Sequence, residues 1–149
     1  MDGAPAGWHR LAVADGFLAT VGPLWWRRDG DGFAMGFRAA PQHCNPVGFC
    51  HGGMLITAAD VVMGFGLGAA LGTGGFVPTI GLAGDFLAPA PAGAFVAGRA
   101  EILRRGRRLG FAQCLLAADE VPVLRANGTF QLDRPADAGF SMRELFRDG

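Results

Sequence analysis

Between Gly53 and Leu71 the chain runs nineteen residues with a single charged side chain, Asp60. Met54, Ala58, Val61, Val62, Phe65 and Leu67 recur there at three- and four-residue spacing, the period of a helix. A helix this apolar on most sides has to be surrounded by protein. The rest of the chain must therefore supply walls for it, and that requirement limits the architecture more than any other feature. Asp60 raises a second question, because a carboxylate among apolar neighbours costs solvation energy unless something compensates it. Gly64, Gly68 and Gly72 stand four apart on one stripe. Each costs about 1 kcal/mol in a helix relative to alanine, so the stripe is expected to admit a close neighbour.

The walls read as strands. Before the helix, PLWWRRD and FAMGFRA flank the turn formers Gly30, Asp31 and Gly32, and Phe33, Met35 and Phe37 alternate onto one face. After Thr73-Gly74-Gly75 come VPTIGLAGDFLA, the turn PAPAG, AFVAGRAEILRR, a turn at Gly106, RRLGFAQCLLAAD and VLRANGTFQL. In the last of these Leu124, Ala126, Gly128, Phe130 and Leu132 share one face. Residues up to about Gly16 read as a loose start, and the tail from Arg134 carries one helical turn. The expected fold class is α+β, an antiparallel sheet wrapped around one long central helix.

Composition narrows the function classes. The chain has 149 residues, half of them hydrophobic and 17% charged, which fits a single globular domain over 1–149 with its core at about 15–133. Thirteen basic and thirteen acidic residues cancel, which points to neither a nucleic-acid nor a membrane-surface partner and favours self-association. Cys44, Cys50 and Cys114 form no regular framework and read as reduced thiols packed as small hydrophobes, as in a cytoplasmic protein. The N-terminal residues lack a signal-peptide pattern. The most apolar stretch, Ala58 to Leu71, falls short of the roughly 20 residues of a membrane span.

The stretch NPVGFCHGGMLITAAD, Asn45 to Asp60, joins a polar loop to the helix. The first N–H groups of a helix have no internal partner and sit at the positive end of its dipole. At His51-Gly52-Gly53 such a group can hold a carbonyl oxygen that becomes negative during reaction. Asn45 can order the same loop through local backbone bonds. His43, Cys44, Cys50 and His51 do not match a zinc-ligand spacing, so no metal is expected. Gly52 and Asp60 are eight helical positions apart, about 12 Å of rise. A catalytic carboxylate or its water must lie about 3 Å from the reacting carbon. Either Asp60 is unrelated to the glycines, or the site lies where two chains meet.

Asn45-x5-His51-Gly52-Gly53-x6-Asp60, with FLAPAPAG, a basic glycine turn and a terminal GTF strand, resembles the hotdog-fold acyl-CoA thioesterases of the phenylacetate-degradation-like group. The resemblance covers about residues 15–133. It implies a homodimer with one continuous sheet, assembled into a homotetramer, that hydrolyses an acyl-CoA to free acid and CoA. By position, it implies that the Gly52 N–H polarises the thioester carbonyl and that Asn45 orders the loop or touches the carbonyl. It places His51 near the sulfur and makes Asp60 of the other subunit general base or nucleophile. Thr79 matches a hydroxyl position that orients water or carboxylate, and Gly53 belongs to the substrate-binding turn. CoA enters as part of the substrate, with no separate cofactor.

Arg104, Arg105, Arg107 and Arg108 surround Gly106 and are candidates for the CoA phosphates, because guanidinium matches phosphate in charge and shape. Phe17, Trp25, Trp26, Phe65 and Phe86 are candidates for lining a pocket for an aromatic or medium-chain acyl group. A hotdog dehydratase or hydratase using His43 or His51, and a non-catalytic acyl-CoA-binding module, are the competing readings.

Overall fold

From the N-terminus the chain lays down a short strand β1 (His9–Arg10), a helix α1 (Gly16–Val21) and the hairpin of β2 (Leu24–Asp29) and β3 (Gly32–Arg38). The long helix α2 (Gly52–Leu71) follows, then β4 (Thr79–Phe86), β5 (Phe95–Arg105), β6 (Leu109–Ala118) and β7 (Val121–Gln131). All strand pairs are antiparallel, in one seven-stranded sheet of order β1-β2-β3-β5-β6-β7-β4. These elements come from a computed structural model, which describes residues 3–72, 74–135 and 141–147.

Helix α2 begins and ends where its residues demand. His51 is the N-cap, and its Nδ1 accepts a hydrogen bond from the Gly53 N–H at 2.9 Å. Gly72 closes the other end in the left-handed conformation, φ +71°, where a side chain would be strained. Arg105 Nη1 donates to the Ala70 carbonyl at 2.6 Å and Arg143 Nη2 to that of Gly72. Two guanidinium groups thus sit at the negative end of the helix dipole.

With twenty residues, α2 reaches the length and apolarity of a membrane span, further than the stretch counted from Ala58. Here it packs against β3, β4, β5, β6 and β7. Its buried stripe is Met54, Leu55, Ala58, Ala59, Val62, Met63 and Leu67, whereas Val61 and Phe65 are only half-buried. The sheet answers with Met35, Phe37, Val96, Leu116, Leu124 and Phe130, each at most 2% exposed. Each such side chain contributes about 1.5–3 kcal/mol on burial.

The glycine stripe is only partly what spacing implied. Gly68 admits Met142, whose Cε lies 2.7 Å from where a Cβ would be, but Gly72 is the cap. The tightest approach is at Gly66, where a Cβ would lie 2.4 Å from that of Ala100. The N-terminal residues are not loose either. Strand β1 pairs with β2, His9 opposite Trp26, although a two-residue strand carries too little alternation to be seen in sequence. Among the described residues of the tail, Met142–Phe146 form a 3-10 turn, and Phe146 packs on Trp26, Phe33 and Phe65.

Candidate active site

The loop before α2 is folded on itself. Asn45 Oδ1 accepts from the N–H groups of Val47 and Phe49, both at 3.1 Å, so this side chain orders the loop. His43 is 4% exposed. Its Nε2 donates to the Val21 carbonyl at 2.7 Å and its Nδ1 accepts from the Ala40 N–H at 3.1 Å. Both ring nitrogens are committed to backbone, which leaves His43 no free nitrogen for proton transfer. His51 is exposed and keeps Nε2 open to a ligand.

The first turn of α2 has two candidate donors, and the cap separates them. The N–H of Gly53 is taken by His51. That of Gly52 has no intrachain partner among the described residues. Gly53 therefore offers a ligand only its bare Cα, and Gly52 offers the hydrogen bond.

Asp60 is half-buried, and its partner is Thr79, whose Oγ1 donates to Asp60 Oδ1 at 2.5 Å. A β-bulge makes this contact possible. Thr79 pairs with Phe130 and Gly81 with Thr129, so β4 carries an extra residue at Ile80. Without that insertion Thr79 and Leu82, three apart, would face opposite sides of the sheet. With it both face the helix.

Three contacts run along α2 and β4 together. Gly52 lies under the Phe86 ring, whose Cζ is 3.0 Å from the absent Cβ; Ile56 Cδ1 is 3.0 Å from that of Gly84; and Asp60 meets Thr79. Gly52 and Asp60 thus sit at opposite ends of β4, on one strip about 12 Å long by helical rise.

The four arginines do not form a set. Arg105 caps α2, and Arg108 Nε lies 4.0 Å from Asp133 Oδ2, a loose exposed pair. Arg104 and Arg107 are exposed. In sheet register Thr79, Phe130, Gly110 and Arg105 fall in one row, three strand spacings or about 14 Å across. The basic turn therefore lies at the Asp60 end of the sheet.

Two thiols resist ionisation. Burial raises the pKa of Cys114 to about 12, and burial followed by the neighbouring Cys44 raises that of Cys50 to about 12. Of the five aromatic candidates, only Phe86 touches the site: Trp26 is core, Phe65 packs on Phe146, Phe17 is 63% exposed on α1, and Trp25 is half-buried on β2.

Comparison with known proteins agrees with this fold. Residues 47–124 match the family model "Thioesterase superfamily". A candidate esterase of Pseudomonas aeruginosa is 31% identical over 89% of this chain and 99% of its own. A phenylacetic acid degradation-related protein of Ralstonia eutropha is 31% identical, with a TM-score of 0.69 over 77% of this chain and 88% of that one. Zebrafish thioesterase superfamily member 2, 22% identical, shares the fold with a TM-score of 0.72 over 81% and 89%. An antiparallel sheet around one helix, a free N–H at the start of that helix and a carboxylate at its middle thus occur in a chain that belongs to the thioesterase superfamily, a thioester hydrolase of hotdog fold.

Proposed function

We propose that the protein hydrolyses an acyl-CoA with an aromatic or medium-chain acyl group, and that each active site is shared between two subunits of a homodimer. The observation that carries this reading is the placement of Gly52 and Asp60 at opposite ends of an edge strand. Among the described residues only one side of β4 is paired, with β7. Its ends are flanked by exposed apolar side chains, Phe76 and Ile80 near Thr79, Phe86 and Leu87 at the other end. Such an edge is a template for pairing with another chain. Antiparallel pairing with β4 of a second copy about a two-fold axis sets the Thr79 end of one strand against the Phe86 end of the other. The N–H of Gly52 in one subunit then approaches Asp60 of the other.

The chemistry follows from those groups. The thioester carbonyl accepts the Gly52 N–H, which stabilises the oxyanion together with the helix dipole. Asp60 takes a proton from water as that water attacks, or attacks the carbonyl itself; Thr79 holds the carboxylate in place. The intermediate expels the CoA thiolate beside His51; on the water route the acid is then released, and on the direct route water must first cleave the Asp60 anhydride. A relative from Bacillus halodurans, 23% identical and of the same fold, holds CoA in its structure, which supports CoA as the carrier. Exposed Phe111 and Leu115, which alternate with buried Ala112, Cys114 and Leu116 along β6 and so lie on the outer sheet face, are suited to join two dimers into a homotetramer.

Thiol release from a panel of acyl-CoA substrates, followed with a thiol-reactive dye, tests the activity; no release from any member would end this reading. The same panel tests the acyl group. The half-exposed ring of Phe86 lies beside the carbonyl site, so Phe86→Ala is expected to lower kcat/KM for phenylacetyl-CoA by about tenfold. Acetyl-CoA, which does not reach the ring, is expected to change by less than about threefold. Equal losses on both would remove Phe86 from the pocket.

The arginine turn gives a further expected result. Arg107→Ala and Arg108→Ala should raise KM for CoA substrates, less so at high salt, and leave short thioesters without the nucleotide unchanged. Arg105→Ala should instead lower the melting temperature, since that side chain caps α2. Equal KM changes on both substrate types would show that Arg107 and Arg108 do not touch the nucleotide.

A further inference from the structure

Cys44 and Cys50 stand opposite one another in an isolated antiparallel bridge across the loop that leads into α2. Backbone hydrogen bonds flank the pair, from Asn45 N to Phe49 O at 2.8 Å and from His51 N to His43 O at 2.7 Å. The cysteines between them form the non-hydrogen-bonded type of pair, with Cα atoms about 4.5 Å apart and side chains leaving close together on one face. A disulfide spans Cα separations of about 4.4–6.8 Å, so this backbone needs no rearrangement to accept one. The two thiols are also close enough that, after burial, the charge of Cys44 further raises the pKa of Cys50. Both are free: the Cys44 thiol donates to the Ala40 carbonyl at 3.4 Å, and that of Cys50, buried, to the His51 carbonyl at 3.8 Å.

We propose that Cys44 and Cys50 are a site of reversible disulfide modification, and that the bond clasps the loop holding Asn45 and His51. The co-reactant is a low-molecular-weight disulfide. Cys44, the more accessible thiol, gives its proton to solvent; its sulfur attacks the small disulfide and displaces one small thiolate. The Cys50 sulfur then attacks Cys44 Sγ, forming the intraloop bond and expelling the second small thiolate, which takes up the Cys50 proton. Two protein thiols are oxidised and one small disulfide is reduced to two thiols. Cys114, buried on β6, takes no part. The proposal concerns the loop of the proposed active site but does not rest on the thioester reading.

The full-length protein, incubated under native conditions with oxidised glutathione and quenched in acid, tests it by thiol titration and mass spectrometry. The expected result is a fall from three free thiols to one, with a chain lighter by two hydrogen atoms and a Cys44–Cys50 link in the peptide map. Dithiothreitol should reverse it. Cys50→Ser should stop at glutathione held on Cys44, and Cys44→Ser should give no link. Three persisting thiols, glutathione remaining on Cys44 of the wild type, or a link to Cys114 or between chains would overturn the proposal. These masses are read without any turnover, so a chain inactive on every acyl-CoA would leave the result standing.

Discussion

Asp60→Asn is expected to remove most turnover, about 10²-fold or more in kcat, while leaving the fold and the proposed dimer intact. The amide keeps the size of the carboxylate and one acceptor oxygen, so the Thr79 hydroxyl that donates at 2.5 Å keeps a partner. What disappears is the charge. An amide can neither take a proton from water nor attack a carbonyl, and general-base catalysis is worth about 10²–10⁴-fold. Melting temperature and elution volume control for misfolding, and KM should change little. Hydrolysis at the wild-type rate in folded Asp60→Asn protein would refute the catalytic assignment of Asp60.

Mixing two inactive variants, Asp60→Asn and Gly52→Val, is expected to restore about a quarter of wild-type activity. Valine at 52 blocks the approach of a carbonyl to the N–H and pushes aside the Phe86 ring, whose Cζ is 3.0 Å from the absent Cβ. That ring is half-exposed and free to swing, so the helix start survives. In a shared-site dimer, a hybrid of the two variants has one site with both lesions and one with neither. Random exchange makes half the dimers hybrids, each with one working site of two, hence about a quarter, given independent sites. Co-purification of differently tagged subunits confirms exchange. Hybrids that form and stay inactive would place Gly52 and Asp60 in one chain's site, or make the sites interdependent.

Much of the architecture was legible before any coordinates. The run from Gly53 to Leu71, charged only at Asp60, and the alternation of Leu124, Ala126, Gly128 and Phe130 are burial patterns, and burial is a local property that periodicity records directly. Helix α2 and strands β2 to β7 lie where those patterns put them. The separation of Gly52 from Asp60 was legible for a simpler reason, because helical rise is fixed at 1.5 Å per residue whatever surrounds it.

Contacts between elements were not legible. Strand β1 and helix α1 are too short to show a period, and the start of the chain reads as loose until β1 pairs with β2. Nothing along the sequence marks Ile80 as the extra residue of a bulge, because Gly81 and Gly84 carry no hydrophobic signal from which to read the register of β4. Yet that one insertion decides whether Thr79 faces Asp60 or the other side of the sheet. The four arginines around Gly106 look equivalent in sequence, and only packing sends Arg105 to the end of α2. Cys44 and Cys50 are six positions apart in a loop with no period, and two backbone hydrogen bonds turn them to face each other. The sequence by itself determined which elements form and which of their faces are buried, since hydrophobic pattern and local chain geometry settle both. Register, bulge and the Arg105 contact at the end of α2 were decided only by the tertiary structure, because each depends on chain segments that are distant in sequence and adjacent in space.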